Sequence, residues 1–148
     1  KYNQINEIMR EIRYRGIGIA ERKWVFGSLW FDTRNKATLI WSEELKYWVR
    51  VDPATVGQYT GLKDEHGKEI YEGDVIRSPL SEDKTRPHRI FYHTGNAAFM
   101  GALVDRKELC YLRLDQDWIY KFGKEVIGNI HDNPELIEKQ TAERHKTN

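Results

Sequence analysis

The densest run of chemically capable side chains lies at residues 64–74, where Asp64, Glu65, Glu69, Glu72 and Asp74 bring five carboxylates together. A hard cation such as calcium would use several such oxygens. Their spacing does not follow an EF-hand loop, which needs acidic or amide residues at alternate positions closed by a glutamate. Gly61, Gly67 and Gly73 recur among them at six-residue intervals. That pattern points to turn chemistry and a solvated acidic edge instead. Asp64-Glu-His-Gly67 has the form of a β-turn, in which Asp holds its own backbone and Gly supplies a positive φ. It predicts a tight hairpin between Leu62 and Ile70. Glu72-Gly-Asp74 predicts a second sharp entry into a strand at Val75.

The five histidines, His66, His88, His93, His131 and His145, show neither His-x-His nor His-Glu-x-x-His spacing. His88 and His93 stand an odd number of residues apart, which in a strand places them on opposite faces. No Gly-x-Ser-x-Gly elbow and no phosphate-cradling Gly-x-x-x-x-Gly-Lys-Ser/Thr loop is present. Cys110, the one cysteine, sits in Leu-Cys-Tyr-Leu and reads as a small core residue. The expectation is a chain with no catalytic residue, no metal and no cofactor.

Two binding chemistries remain. Lys84, Arg86 and Arg89 form a basic loop that leads into Phe91 and Tyr92. Arg10, Arg13, Arg15, Arg22 and Lys23 surround Tyr14. Cations could neutralise phosphates while exposed aromatics stack bases; the competing expectation is that alternation buries Tyr14 or Phe91 in the core and leaves the charges solvated. The other chemistry is apolar. Five Trp, eight Tyr and five Phe are generous for a chain of 148 residues, and surplus aromatics at a surface make protein anchors or an oligomer seam. Trp41, Tyr47 and Trp48 are the candidates, with a two-sided core as the alternative.

The elements that would position these groups are mostly strands. Residues 11–15, 23–31, 37–41, 45–51 and 56–59 alternate or concentrate aromatic and branched side chains between polar turns. Gly16 and Gly18 loosen the chain after the first strand, and Gly27 marks a bulge or a close approach. Asp52-Pro53 punctuates the chain and suggests a boundary after a β-meander. Residues 78–88 read as a polar loop. Strands are expected over 89–93, 97–104, 109–114 and 125–130. Asp115 caps a helical turn over 115–121, and Asn133-Pro134 starts a C-terminal helix. The fold class is mainly β: an SH3-like or related small barrel around residues 56–130, an N-terminal meander packed on it, and a short C-terminal helix.

Three blocks carry a family resemblance. Met9-Arg-Glu-Ile opens a basic and aromatic stretch. Gln58-Tyr-Thr-Gly-Leu-Lys-Asp64 is followed by Gly67-Lys-Glu-Ile-Tyr-Glu-Gly-Asp74, so that Tyr59, Gly61, Asp64, Gly67, Tyr71, Gly73 and Asp74 form a structural motif. Val126-Ile-Gly-Asn-Ile130 precedes Asn133-Pro-Glu-Leu136. In this order they resemble the YopX family of phage and prophage proteins. The resemblance implies a phage or prophage accessory protein and carries no reaction with it. It spans one domain over residues 9–138, with 1–8 as a flexible extension and 139–148 as a helix end or tail.

Composition narrows the classes. A net charge of +1 is not the footprint of a general nucleic-acid binder, and residues 51–83 hold eight acidic against three basic side chains. One cysteine excludes an intramolecular disulfide and suits a reducing cytoplasm. No apolar run has the length that spans a bilayer. The reading is a non-enzymatic module that binds a protein partner or itself, with nucleic acid as the runner-up and no membrane.

Overall fold

The structure is a computed structural model that describes residues 9–79, 86–104 and 111–137. Lys84, Cys110, His145 and the ends of the chain therefore lie outside the described residues. The chain is mainly β and divides into two compact units between Gly61 and Leu62. No helix among the described residues is long and apolar enough to cross a membrane.

The first unit holds β1 (Tyr14–Ile17), β2 (Trp24–Asp32), β3 (Ala37–Ser42), β4 (Trp48–Arg50) and the first part of β5 (Gly57–Lys63). They form an antiparallel sheet in the order β4-β3-β2-β1-β5. The first strand starts three residues later than its alternation suggests and runs through Gly16. A side chain at Gly16 would come within 3.2 Å of Ile40 and Val51, so this glycine lets two core residues lie over the strand and does not loosen it. Val25, Ile40 and Val51 are the buried apolar centre, with Tyr14, Val49 and Val56 packed around them.

Pro53 sets a turn inside this unit. Asp52 is extended and its carboxylate accepts from Ala54 N–H at 3.0 Å, capping a 3₁₀ turn over Pro53–Thr55. Thr55 Oγ1 then accepts from Ile17 N–H at 2.8 Å, which ties the turn to β1 and brings β5 alongside it.

In the second unit β6 (Glu69–Tyr71) follows β5 in the predicted hairpin. β7 (Asp74–Arg77), β8 (His88–His93), β9 (Ala98–Leu103), β10 (Tyr111–Arg113) and β11 (Glu125–Asn129) make an antiparallel sheet in the order β10-β9-β8-β7-β11. Neither sheet closes into a barrel among the described residues; the short strands and tight turns anticipated for a barrel are present, but the strand order runs open from edge to edge. Helix α1 (Gln116–Lys121) starts where Asp115 accepts from Trp118 N–H at 2.8 Å. Ile70, Ile76, Ile90, Leu114 and Ile119 form the core between sheet and helix. Residues 135–137 are helical. Asn133 turns its side-chain oxygen back to Asn129 N–H at 3.3 Å, so it braces the end of β11 as well as opening the helical turn.

Asp64 organises this unit. It is buried, and its carboxylate accepts from His66 N–H at 2.8 Å, Lys68 N–H at 2.9 Å and Val126 N–H at 3.1 Å. Gly67, at φ 81, closes the turn by donating to Asp64 O at 3.0 Å. Asp74 is also buried and accepts from Tyr71 N–H at 2.8 Å. These two carboxylates are therefore internal acceptors and not part of a solvated acidic edge. Asp64→Ala leaves three backbone donors without their acceptor. It should cost about 3 kcal/mol or more, read as a lower urea midpoint, with Asp64→Asn losing less because one acceptor oxygen remains.

The same turn carries a titrating contact. The Glu125 carboxylate, 3.2 Å from His66 Nε2, raises the imidazole above its ordinary value, and Asp64 and Glu65 add to the effect. The stabilisation is present below the ordinary histidine pKa of about 6.5 and is lost as pH rises through the raised one. Proton NMR titration should find His66 titrating high, and Glu125→Gln should bring it back toward the ordinary value.

Candidate functional site

Strand β2 reads Trp24-Val-Phe-Gly-Ser-Leu-Trp-Phe-Asp32, and the alternation of a strand separates its side chains onto two faces. Val25 enters the core. Trp24, Phe26, Ser28 and Trp30 occupy the opposite face. The register places Ser28 across from Trp41, Trp41 across from Trp48, and Trp30 across from Leu39. Directly opposed residues of an antiparallel pair share a face, so three tryptophans from three strands meet there.

Their geometry is a cluster centred on Trp48. Its ring centroid lies 5.6 Å from Trp30 and 5.6 Å from Trp41, tilted in one pair and edge-on in the other. Both arrangements suit the ring quadrupole. Trp30 stays 49% exposed, Trp48 42% and Trp41 36%, although each buries part of its surface on the others. Leu29, Phe31, Leu45 and Tyr47 are exposed as well.

Beside the cluster opens a cleft of about 780 Å³. Ile19, Trp24, Phe26, Leu45, Tyr47 and Trp48 supply its apolar lining, and Glu21, Glu43, Glu44, Lys23 and Arg50 also line it. Trp48 belongs to both cleft and cluster. The cleft lies between the turn that follows β1 and the turn that joins β3 to β4. In the latter turn Ser42 Oγ accepts from Leu45 N–H at 2.9 Å, and Lys46 takes a left-handed conformation at φ 62. The β2–β3 turn is held by Asp32, whose carboxylate accepts from Arg34 and Asn35 N–H and from the Asn35 amide. The Asn35 amide bond, followed by its backbone N–H, keeps the Asp32 carboxyl below its ordinary pKa.

Gly27 lets β2 and β3 come together at this point. It sits at φ 152, and a Cβ there would lie 1.7 Å from Trp41 O. The close approach anticipated for Gly27 is thus what places Trp41 opposite Ser28.

Trp41 and Trp48 come together, and Tyr47 lines the adjoining cleft. Sequence reasoning missed Trp30 and Phe26. The signal was the alternation Trp24, Phe26, Ser28, Trp30, which puts all four on one side of a strand. The basic candidates lie elsewhere: Arg89 is exposed on β8 with its guanidinium carbon 5.8 Å from the Phe91 ring centre, and Arg86 is half-buried just before that strand. Tyr59 and Tyr71 are buried. Gly61, Gly67 and Gly73 all have positive φ. With Asp64 and Asp74, these motif residues serve turns and core.

A family model described as "YopX protein" matches residues 13–138. No curated protein matches the chain. Among solved structures, the crystal structure of protein EF1440 from Enterococcus faecalis is similar, with a TM-score of 0.57 and 25% identity over 87% of this chain and 99% of that one.

Gly27→Ala should cost more than about 3 kcal/mol, because the new methyl meets a backbone carbonyl that cannot rotate away. Thermal unfolding followed by tryptophan fluorescence reads the loss, with Ser28→Ala next to it as a near-neutral control.

Proposed function

The chain belongs to the YopX family, and from the tryptophan cluster of its first unit we propose that it works by binding and not by catalysis, pairing with a second copy of itself through this aromatic face. The observation that carries the reading is Trp48, which touches Trp30 and Trp41 and lines the cleft while remaining 42% exposed. A half-covered cluster of three large rings is stable enough to persist and apolar enough to gain from further burial.

Magnitudes support it. On the cluster and along the cleft, Ile19, Phe26, Trp30, Trp41, Leu45, Tyr47 and Trp48 are each exposed over roughly a third to a half of their surface, which leaves on the order of 600 Å² of apolar area, at the upper end of what a typical monomer shows. A standard interface buries about 800 Å² on each partner, so this face supplies most of one side. The cleft lining carries both signs of charge, with Glu21, Glu43 and Glu44 against Lys23 and Arg50. Two-fold pairing presents the same patch twice and lets the acids of one copy meet the bases of the other.

This reading keeps the phage or prophage accessory role that the resemblance implies, exercised in the bacterial cytoplasm. The short strands and tight turns of the second unit support a distant relation to small SH3-like barrels with the sheet left open.

Sedimentation velocity over a range of concentrations tests the pairing. A dimer that dissociates on dilution is expected. Trp48→Ala should weaken it about 30-fold, as truncation of a central anchor worth about 2 kcal/mol does. A strictly monomeric chain at high concentration removes the proposal. So does a dimer that Trp48→Ala and Trp30→Ala leave unchanged.

A further inference from the structure

The second unit carries a separate aromatic face. Along β8, His88 and Ile90 are buried, while Arg89, Phe91 and His93 point to the other side. The register aligns Arg89 with Ala102 and Tyr111, Phe91 with Met100 and Arg113, and His93 with Ala98. Phe91, His93 and Tyr111 form a continuous group of rings, with centroids 5.0 Å apart for Phe91 and Tyr111, 4.8 Å for His93 and Tyr111, and 6.1 Å for Phe91 and His93. All three rings are partly open to solvent. The β9 residues opposite this face are Ala98, Met100 and Ala102, with Met100 directly across from Phe91.

Cations stand beside this group. Arg89 is exposed and near the Phe91 ring. Arg113 has 88% of its side chain exposed; Asp115 lies 3.5 Å from its Nε. An ion pair that open contributes little, so a phosphate can displace it. Asn96 N–H donates to His93 Nδ1 at 3.0 Å, which leaves Nε2 as the donor of the neutral ring.

We infer that this face of the second unit binds single-stranded nucleic acid, its rings stacking bases while Arg89 and Arg113 meet phosphates. The charge fits a polyanion, and the rings require a ligand with exposed flat π faces, which a strand offers and a duplex hides. The site uses Arg89 from the basic loop seen in the sequence and adds Arg113 from a strand distant in the chain.

The test is fluorescence anisotropy with a labelled oligothymidylate, its duplex with oligoadenylate, and polyglutamate, each at low and at moderate salt. The single strand should bind, and its affinity should fall with salt at a log–log slope of about −1.4 for two phosphate contacts. Phe91→Ala and Tyr111→Ala should each weaken it about tenfold. The pair Arg89→Ala and Arg113→Ala should flatten the slope. If the ring variants fail to fold, reversal of the two exposed arginines to Glu should abolish binding in a chain with an unchanged far-ultraviolet spectrum. Absence of binding at low salt overturns the inference. Equal affinity for the duplex or polyglutamate overturns it too, as does an unchanged affinity in folded variants. Trp48→Ala should leave oligonucleotide binding intact, which separates this site from the pairing face of the first unit.

Discussion

Burying a carboxylate is costly unless its oxygens find donors, and Asp64 finds three. Two belong to its own turn. The third is Val126 N–H, sixty-two residues along the chain, in β11. One side chain thus shapes the hairpin between β5 and β6 and locks it to the last strand of the sheet. Glu65 N–H repeats the link by donating to Lys124 O at 2.9 Å. Gln116 adds another: its amide accepts from Lys63 N–H at 3.1 Å and donates to Lys63 O at 2.7 Å, as a neighbouring strand would. Turn, helix start and final strand are fixed to one another by polar contacts before the isoleucine core is counted.

The first unit is organised differently. Val25, Ile40 and Val51 form a small buried cluster there, and glycine spares the space that lets them meet. The core lies on one side of the sheet, and Trp30, Trp41 and Trp48 on the other side stay partly open to solvent. The tryptophans cover one another in part. The proposed pairing draws on that incomplete cover, since the remaining apolar area gains from further burial.

The central motif and the candidate sites do not coincide. Residues 59–74 form the densest pattern in the chain, yet Asp64 and Asp74 are occupied with backbone donors, and Tyr71 Oη donates to Glu69 at 2.9 Å. The surfaces proposed to meet a partner come from less conspicuous stretches, β2 to β4 in the first unit and β8 to β10 in the second. A motif can be maintained by folding requirements alone, while the strand faces proposed for recognition share no short signature.

Local chemistry was legible from the residues alone: the Asp64–Gly67 turn, the Asp115 cap, the odd spacing that sends His88 and His93 to opposite faces, the close approach at Gly27, and the mainly β character. Each is decided within a few residues by φ preference, side-chain reach or period-two alternation. The start of β1 was not, because the role of Gly16 depends on Ile40 and Val51 lying across it. The burial of Asp64 and Asp74 was not, because a carboxylate cluster looks the same in sequence whether its donors are water or backbone. Trp41 and Trp48 could be singled out as aromatics in a hairpin, but only the pairing of β2 with β3 added Trp30. Only the pairing of β9 with β10 brought Tyr111 and Arg113 to Phe91. Sequence alone determined the turns and the alternation; tertiary structure decided which strands lie side by side, and therefore which side chains share a face, because strand pairing is a contact between segments far apart in the chain.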